Sequence, residues 1–162
     1  MVVPILAIGF LLRLSTWEEG LSISTEGIVN MGTTNVAALR VLVVDDEQLV
    51  TKVLSGIFEG LGVRDVHVAS TGEKAAELLQ TNEYDLVLSD VLMPGMGGRG
   101  LVRFIRETLG RTTLPVYAVT ADSTGVGELR ELGFSAVFVK PFTRDNVSAL
   151  LRKILRTKEA AR

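Results

Sequence analysis

Side chains that bear a charge or a hydroxyl recur at one kind of position in this sequence, directly after a Val/Leu-rich run. Asp45 and Asp46 follow the first such run, and Asp90 follows a later one. Thr120 and Lys140 stand at the same position after two further runs. If the runs are strands of one parallel sheet, their carboxyl ends meet at a single edge, where ligands bind in open α/β sheets. We therefore expect three carboxylates, a hydroxyl and an ammonium to converge there.

Carboxylates grouped in this way need a cation. Two carboxylates about 4 Å apart repel each other by about 4 kcal/mol at an effective dielectric constant near 20. The sequence has no cysteine and one histidine, which excludes disulfide scaffolds, thiol nucleophiles, iron–sulfur clusters and Cys/His zinc sites. Oxygen ligands favour a hard ion, and Mg²⁺ typically binds one or two carboxylates together with phosphate. The pattern therefore predicts a Mg²⁺ and phosphate site.

Asp90 is the candidate nucleophile of this site. A carboxylate beside Mg²⁺ can attack a phosphoryl group and form an aspartyl phosphate. We assign this role to Asp90 because its strand can lie beside the first strand in a doubly wound sheet and a glycine-rich loop follows it. Asp45 and Asp46 would then hold the metal. Lys140 and the Thr120 hydroxyl would contact the phosphoryl oxygens.

The composition is that of an ordinary globular protein. Apolar residues make up 47% of the sequence and charged residues 22%, which is typical of a soluble globular protein. A length of 162 residues is enough for one domain but not for two full-sized domains. The net charge of -2 provides no basic surface, so we predict no direct contact with nucleic acid. The single histidine, His67, lies in an alternating run and is predicted to be an outward-facing strand residue without chemistry.

An alternation of strands and helices begins near Arg40 and predicts an α/β fold. Five apolar runs are mostly continuous, as in strands covered on both faces, and indicate one five-stranded parallel sheet. The predicted strands cover residues 41–44, 66–69, 86–88, 116–119 and 136–139. The predicted helices cover residues 49–61, 72–80, 98–109, 122–132 and 145–156, the fourth being interrupted by two glycines.

The first 38 residues differ in character from the rest and are predicted to form a poorly ordered N-terminal extension. Their apolar run, residues 2–12, is shorter than the roughly 20 residues that a membrane-spanning helix needs. It also lacks the basic start and the cleavage pattern of a secretory signal. We therefore predict no membrane span and a cytoplasmic protein. Residues 39–157 would form the folded domain and residues 158–162 a short charged tail.

From about residue 39 to residue 156, the sequence resembles the CheY-like receiver domains of two-component response regulators. Four motifs carry the resemblance, and they occur in the order and at the spacing typical of that family. They are Val41-Leu42-Val43-Val44-Asp45-Asp46-Glu47, Asp90-Val91-Leu92-Met93-Pro94-Gly95-Met96-Gly97-Gly98, Val119-Thr120-Ala121 and Val139-Lys140-Pro141-Phe142. The resemblance implies a flavodoxin-like (βα)5 fold with a doubly wound five-stranded parallel sheet.

The resemblance also implies a signalling reaction at Asp90. This aspartate would accept a phosphoryl group from a histidine of a sensor histidine kinase or of a histidine phosphotransfer protein. Asp45, Asp46, Asp90 and the backbone carbonyl of Leu92 would bind Mg²⁺. Such a domain catalyses only its own phosphorylation and dephosphorylation, and it signals through contacts with a downstream protein or by phosphorelay. Family members also commonly have a cis peptide bond after the residue that corresponds to Lys140.

The predicted switch departs from the family pattern. Receivers often carry an aromatic residue three positions before the lysine, and this ring moves inward together with the threonine that corresponds to Thr120. Here that position is Val137, with Phe138 beside it. Asp122 and Leu92 match positions that tune the lifetime of the phosphoryl group in the family. The resemblance leaves open whether an aromatic side chain takes part in the switch.

Three alternatives are weighed against a stand-alone receiver. Residues 95–100 fit the G-x-G-x-x-G pattern of dinucleotide-binding oxidoreductases, but they begin four residues too late, and Asp90 would repel a pyrophosphate. A phosphatase of the haloacid-dehalogenase type would need Asp-x-Asp after the first strand, where Asp45 and Asp46 are adjacent. Only 21 residues follow Pro141, so we expect a stand-alone receiver, with a fragment of a longer hybrid kinase or regulator as the alternative.

Overall fold

The computed structural model describes residues 35–121 and 125–161. Most of the predicted N-terminal extension, residues 1–34, lies outside these ranges. Of the remaining residues of that segment, Val36–Ala38 form a short 3₁₀ turn. Val36 is buried in the same apolar layer as Val41 and Val43 of the first strand, so the packed domain includes residues that the sequence pattern assigned to the extension.

Five strands alternate with five helices along the described chain. The strands are β1 (Arg40–Val44), β2 (Asp65–Ala69), β3 (Leu86–Asp90), β4 (Val116–Thr120) and β5 (Ala136–Val139). The helices are α1 (Gln48–Gly60), α2 (Gly72–Thr81), α3 (Gly97–Arg103), α4 (Val126–Glu131) and α5 (Arg144–Ala160). The strands pair in parallel in the order β2-β1-β3-β4-β5. This is the order of a doubly wound, flavodoxin-like sheet, which confirms the predicted fold class.

Each face of the sheet is covered by its own set of helices, because side chains alternate along every strand. Leu42, Val44 and Ala118 belong to the layer that packs against α2, α3 and α4. Val41 and Val119 belong to the opposite layer, which packs against α1 and α5. Since helices cover both faces, the three central strands β1, β3 and β4 are buried at nearly every position.

Two strands that were predicted to be covered on both faces are the edges of the sheet. β2 and β5 each pair with one neighbour, and Val68 and Val139 on them are 45% and 40% exposed. The prediction that β2 and β5 are covered on both faces was therefore wrong. It failed because apolar runs of this length occur in edge strands as well as in central ones. His67 on β2 has a structural role: Nδ1 lies 2.6 Å from the Tyr84 hydroxyl and Nε2 lies 3.0 Å from the Asp65 carboxylate.

Helix α3 is shorter than predicted because a wider turn replaces its C-terminal half. Phe104–Thr108 form a π-helical turn, and the Leu109 amide donates to the Phe104 carbonyl at 3.0 Å. Arg106 in this turn donates from Nε to the Gly133 carbonyl, also at 3.0 Å. A π turn is rare, and this one ends the helical segment, so no later turn shows a shifted apolar spacing that would reveal it in the sequence.

Two further helices differ from their predicted bounds. α4 begins at Val126, after Gly125 with a φ of 75°. The predicted start, Asp122, lies outside the described residues. α5 follows a capping box formed by Thr143 and continues to Ala160, so it includes the first three residues of the predicted charged tail.

None of the helices within residues 35–121 and 125–161 is long and apolar enough to cross a bilayer.

Candidate functional site

A lysine joins two aspartates at the carboxyl-terminal edge of the sheet. Asp45 follows β1, Asp90 ends β3 and Lys140 follows β5, so the topology brings all three residues to one edge. Lys140 Nζ lies 3.2 Å from Asp45 Oδ2 and 3.4 Å from Asp90 Oδ1. The Asp45 side chain is 2% exposed and that of Asp90 13% exposed. Two carboxylates therefore share one ammonium in a position that is largely shielded from water.

The backbone at the ends of β4 and β5 fixes the position of Lys140. Its amide donates to the Thr120 carbonyl at 2.9 Å, which places Thr120 beside the lysine. The peptide bond between Lys140 and Pro141 is cis, as is common in the family that the sequence resembles. Thr120 and Lys140 thus lie at the same edge of the sheet as the two aspartates.

One ammonium provides too little positive charge for two carboxylates in this position. Burial raises the pKa of Asp90; attraction to Lys140 opposes that rise and repulsion from Asp45 adds to it. Burial acts to lower the pKa of Lys140, but its hydrogen bonds and attraction to Asp45 and Asp90 outweigh this, and the pKa is raised. Lys140 therefore stays charged at neutral pH, and with both aspartates ionised the group carries one excess negative charge.

The expected convergence of three carboxylates is met for two of them. Asp46 is exposed next to the buried Asp45, at a bend between β1 and α1. Glu47, to which the sequence pattern assigned no role, has its Oε1 3.7 Å from Lys140 Nζ, and its amide donates to Asp45 Oδ1 at 2.9 Å. Within the described ranges, no three histidine, cysteine, aspartate or glutamate side chains are grouped so that they could hold a metal ion. The predicted cluster of three carboxylates is therefore not preformed.

Asp90 is held by bonds to both its carboxylate and its backbone. The Leu92 amide donates to Asp90 Oδ2 at 2.8 Å, and the Ser89 hydroxyl donates to the Asp90 carbonyl at 2.9 Å. The Leu92 side chain itself is 80% exposed at the rim of the site. With Lys140 at Oδ1 and an amide at Oδ2, each oxygen of the Asp90 carboxylate has a defined partner.

Glycines allow helix α3 to begin directly against the backbone of Asp90. A Cβ placed on Gly98 would lie 2.1 Å from the Asp90 carbonyl oxygen, far inside the contact distance of real atoms. Gly97 has a φ of 61°, in the left-handed region that glycine adopts without strain. The G-x-G-x-x-G pattern in this segment is thus accounted for by close packing around an aspartate and requires no nucleotide.

Val137, at the position where receivers often carry an aromatic residue, and its neighbour Phe138 lie on opposite faces of β5. Val137 pairs with Ala118 and packs in the layer of α2, α3 and α4. Thr120, two residues after Ala118 on the same strand, shares that face by alternation. Phe138 belongs to the other layer, where its ring stacks on Phe142 with the centroids 5.4 Å apart. The β5 side chain on the face of the threonine is therefore aliphatic.

The donor set fits a hard divalent cation even though three carboxylates are not grouped. Mg²⁺ in proteins is usually bound by one or two carboxylates and keeps several of its waters. Asp45 and Asp90 provide two carboxylates, and their charge exceeds that of Lys140. The site therefore satisfies the ligand type, the ligand number and the sign of charge that this ion requires.

Comparison with known proteins places the described domain among signalling proteins. Residues 41–152 match the family described as the response regulator receiver domain. The chain is 30% identical to the chemotaxis protein CheY-3 of Vibrio cholerae over 118 residues, which cover 72% of this chain and 91% of that protein.

Two solved structures have a similar fold. One is the receiver domain of a sensor histidine kinase from Pseudomonas aeruginosa, with a magnesium ion coordinated in its active-site cleft. It has a TM-score of 0.65 and 28% identity, and the match covers 72% of this chain and 97% of that one. The other is the CheX–CheY complex with BeF₃ and Mg²⁺ from Borrelia burgdorferi, with a TM-score of 0.65 and 27% identity, covering 72% of this chain and 88% of that one.

Proposed function

The chain belongs to the family of response regulator receiver domains, and from this premise we propose that it accepts a phosphoryl group on Asp90 from a phosphohistidine of a partner protein. The observation that carries the proposal is the Lys140 ammonium held between the carboxylates of Asp45 and Asp90. The partner would be a sensor histidine kinase or a histidine phosphotransfer protein. The phosphorylated domain would signal by binding a downstream protein or would pass the group on in a phosphorelay.

The proposed reaction moves one phosphoryl group between two proteins. A carboxylate oxygen of Asp90 forms a bond to phosphorus while the bond from phosphorus to the imidazole nitrogen breaks, leaving its electron pair on nitrogen. Asp90 has to be ionised to attack, and the Lys140 ammonium favours this form. The Leu92 amide at Oδ2 fixes the orientation of the carboxylate. After transfer, Lys140 would donate to the phosphoryl oxygens, and we assign the same role to the Thr120 hydroxyl.

We propose that Asp45, Asp46 and Asp90, together with the backbone carbonyl of Leu92, hold Mg²⁺ during this reaction. The ion would supply positive charge against the charge that develops on the transferred oxygens. Phosphorylation replaces the single charge of the Asp90 carboxylate with about two negative charges on the phosphoryl group, beside residues that already carry an excess negative charge. The similar receiver from Pseudomonas aeruginosa coordinates a magnesium ion in its active-site cleft, which supports Mg²⁺ as the ion.

A receiver that is part of a longer hybrid kinase or regulator is the second candidate. It is favoured by the similarity to the receiver domain of a sensor histidine kinase, alongside the similarity to CheY. The phosphatase and oxidoreductase alternatives have no comparable support, since the receiver family model covers residues 41–152. A cytoplasmic location, expected from the sequence, stays a prediction.

The proposed function is tested by intact-mass measurement. Protein incubated with Mg²⁺ and acetyl phosphate is expected to gain the mass of one phosphoryl group and to lose it again when the donor is removed. Chelation of divalent ions with EDTA is expected to prevent the gain, and added Mg²⁺ to restore it. Continuous turnover of small phosphate esters without a stable gain of mass would instead identify a phosphatase and contradict the proposal.

Lys140→Ala is expected to slow phosphorylation by about 10-fold or more while leaving Mg²⁺ binding intact. The variant lacks a charged donor to Asp90 and to the phosphoryl oxygens, and charged hydrogen bonds are typically worth about 1.5 to 3 kcal/mol. It keeps the proposed oxygen ligands, and the local negative charge that attracts the ion becomes larger. Calorimetric Mg²⁺ titration and the rate of mass gain measure the two effects separately.

Lys52→Ala provides the matched control for this prediction. Lys52 is an exposed lysine on α1, so its removal changes the net charge equally without touching the site. Its phosphorylation rate should equal that of the unsubstituted protein. Equal rates for Lys140→Ala and Lys52→Ala would contradict the role given to Lys140.

A further inference from the structure

Helix α2 binds the far end of the loop that follows Asp90. We call residues 91–96, between β3 and α3, the acceptor loop. Glu73, the second residue of α2, accepts a hydrogen bond on Oε1 from the Met96 amide at 2.8 Å. The neighbouring Gly72 lies so close to this loop that a Cβ on it would be 3.0 Å from Met96 Cβ. One side-chain bond and one close approach therefore tie α2 to the last residue of the acceptor loop.

The Glu73 carboxylate is prepared for this contact by its surroundings. Hydrogen bonds from its own amide and from the Met96 amide lower the pKa of Glu73, and the Thr71 side chain adds to this effect. The carboxylate also lies in the first turn of α2, where the helix dipole favours negative charge. Glu73 is therefore ionised at neutral pH and accepts a charge-assisted hydrogen bond, which is stronger than a neutral one.

The near end of the acceptor loop is bonded to Asp90. The Leu92 amide donates to Asp90 Oδ2 at 2.8 Å, and the Gly98 amide donates to the Val91 carbonyl at 3.3 Å. Six residues fixed at both ends have little freedom, so a change at one end is transmitted to the other. Loss of the contact at Met96 would therefore loosen the Leu92 amide that orients the Asp90 carboxylate.

We propose that Glu73 is a positioning residue for phosphoryl acceptance, holding the acceptor loop through the Met96 amide so that the Leu92 amide keeps Asp90 oriented. The inference rests on the proposed function and adds to it a residue outside the four motifs of the sequence. Glu73 touches none of the reacting atoms and acts only through the acceptor loop. Small misplacements of reacting groups can lower a reaction rate by a large factor. Loss of the Glu73–Met96 contact is therefore expected to affect the rate of phosphorylation more than the stability of the fold.

Helix α2 supplies a matched control in Glu77, one turn after Glu73. Both glutamates are exposed, and replacing either with alanine removes one negative charge from the same helix. In the part of the chain that the structure describes, the Glu77 side chain forms no hydrogen bond or ion pair. The loss of one exposed glutamate and of one negative charge from α2 is therefore common to the two variants. Glu73→Ala in addition removes the loop contact and a carboxylate from the first turn of the helix.

The test compares Glu73→Ala, Glu73→Gln and Glu77→Ala with the unsubstituted protein. The initial rate of phosphorylation by acetyl phosphate and Mg²⁺ is expected to fall about 10-fold in Glu73→Ala. Glu73→Gln retains an oxygen acceptor for the Met96 amide and should recover most of the rate, and Glu77→Ala should match the unsubstituted protein. Exchange of the Met96 amide hydrogen, followed by NMR, should be faster in Glu73→Ala alone.

Three results would overturn the inference alone, and a fourth would overturn it together with the proposed function. An unchanged rate in Glu73→Ala would remove the positioning role, and an equal loss in Glu77→Ala would show a general effect of the helix. A rate in Glu73→Gln as low as in Glu73→Ala would show that the hydrogen-bond acceptor is not what matters. Failure of the unsubstituted protein to be phosphorylated would overturn the proposed function itself, and this inference with it.

Discussion

Asp90→Asn is expected to abolish phosphorylation and to raise the free energy of unfolding at neutral pH. The amide has no ionised oxygen with which to form an acyl phosphate, so no gain of mass is expected under any donor concentration. The substitution keeps the size of the side chain and an oxygen that can accept from the Leu92 amide. It removes one of the two negative charges that share Lys140, and we expect a gain in stability of roughly 1 kcal/mol, the typical size of a single-site effect.

The pH dependence of this gain follows from the direction of the Asp90 pKa shift. Burial raises the pKa of Asp90 in the folded protein, so between the unfolded and folded pKa values the folded state binds more protons. Stability then falls as pH rises through this window. The advantage of Asp90→Asn should therefore be absent in acid, where the carboxyl is protonated in both states, and should reach its full size above the folded pKa.

Denaturant unfolding in EDTA at several pH values measures the stability difference, and intact mass measures phosphorylation. Asp85→Asn is the control, because Asp85 precedes the other end of β3, pairs with Lys158 and accepts from the Arg40 amide at 2.9 Å. This variant should be phosphorylated normally and should be less stable, since its carboxylate has favourable partners. A phosphorylated Asp90→Asn protein would refute the assignment of the acceptor.

Gly98→Ala is expected to damage both stability and phosphorylation. The added Cβ would lie 2.1 Å from the Asp90 carbonyl oxygen and 3.0 Å from the Ser89 hydroxyl, so the start of α3 or the end of β3 has to move. Overpacking of this kind typically costs about 1 to 3 kcal/mol, and the atoms that meet here are mainly backbone, which yields less readily than a side chain. We expect a loss of about 3 kcal/mol in the free energy of unfolding.

Gly56→Ala is the control and should change stability in the opposite direction. Gly56 lies within α1, and a Cβ at this position would meet nothing within 4 Å. Alanine in a helix is more stable than glycine by about 0.5 to 1 kcal/mol, so Gly56→Ala should stabilise the protein by that amount.

The denaturant midpoints of the two glycine variants measure their stabilities. The rate of phosphorylation is measured at a temperature where both variants are folded. Folded Gly98→Ala protein should be phosphorylated at least about 10-fold more slowly, since the displaced backbone carries Asp90 with it. Equal stabilities of the two variants would show that α3 does not begin against Asp90 as described.

The sheet could be predicted from sequence because its strands are short apolar runs separated by helix-spaced segments. The apolar runs alone do not contain their order across the sheet, which was implied only by the family resemblance. From the runs alone, the exposure of Val68 on β2 and of Val139 on β5 could not be predicted. The π turn at Phe104–Thr108 was also missed, because it ends the helix and no further helical turn follows whose spacing could reveal it. The local sequence pattern thus predicts where strands and helices occur better than it predicts which of them pack side by side.

The site was predictable to the extent that it depends on strand ends. Asp45, Asp90 and Lys140 meet because parallel strands finish at one edge, which the sequence order alone implies. Glu73 and Glu47 were not singled out, since a glutamate near the start of a helix is common and its long side chain can reach in several directions. Their contacts depend on the path of the acceptor loop and on the position of Lys140, which only the folded chain shows.

The placement of Phe138 limits how a signal can leave the site. Rotation about its side-chain bonds cannot take the ring through the sheet, and moving it to the side of Thr120 would require β5 to slip by one residue. Such a slip would bring Val139 out of its register with Thr120 and unstack the ring from Phe142. The β5 side chains on the face of Thr120 are therefore the aliphatic Val137 and Val139. Their methyl groups can move only a short distance compared with the swing of an aromatic ring.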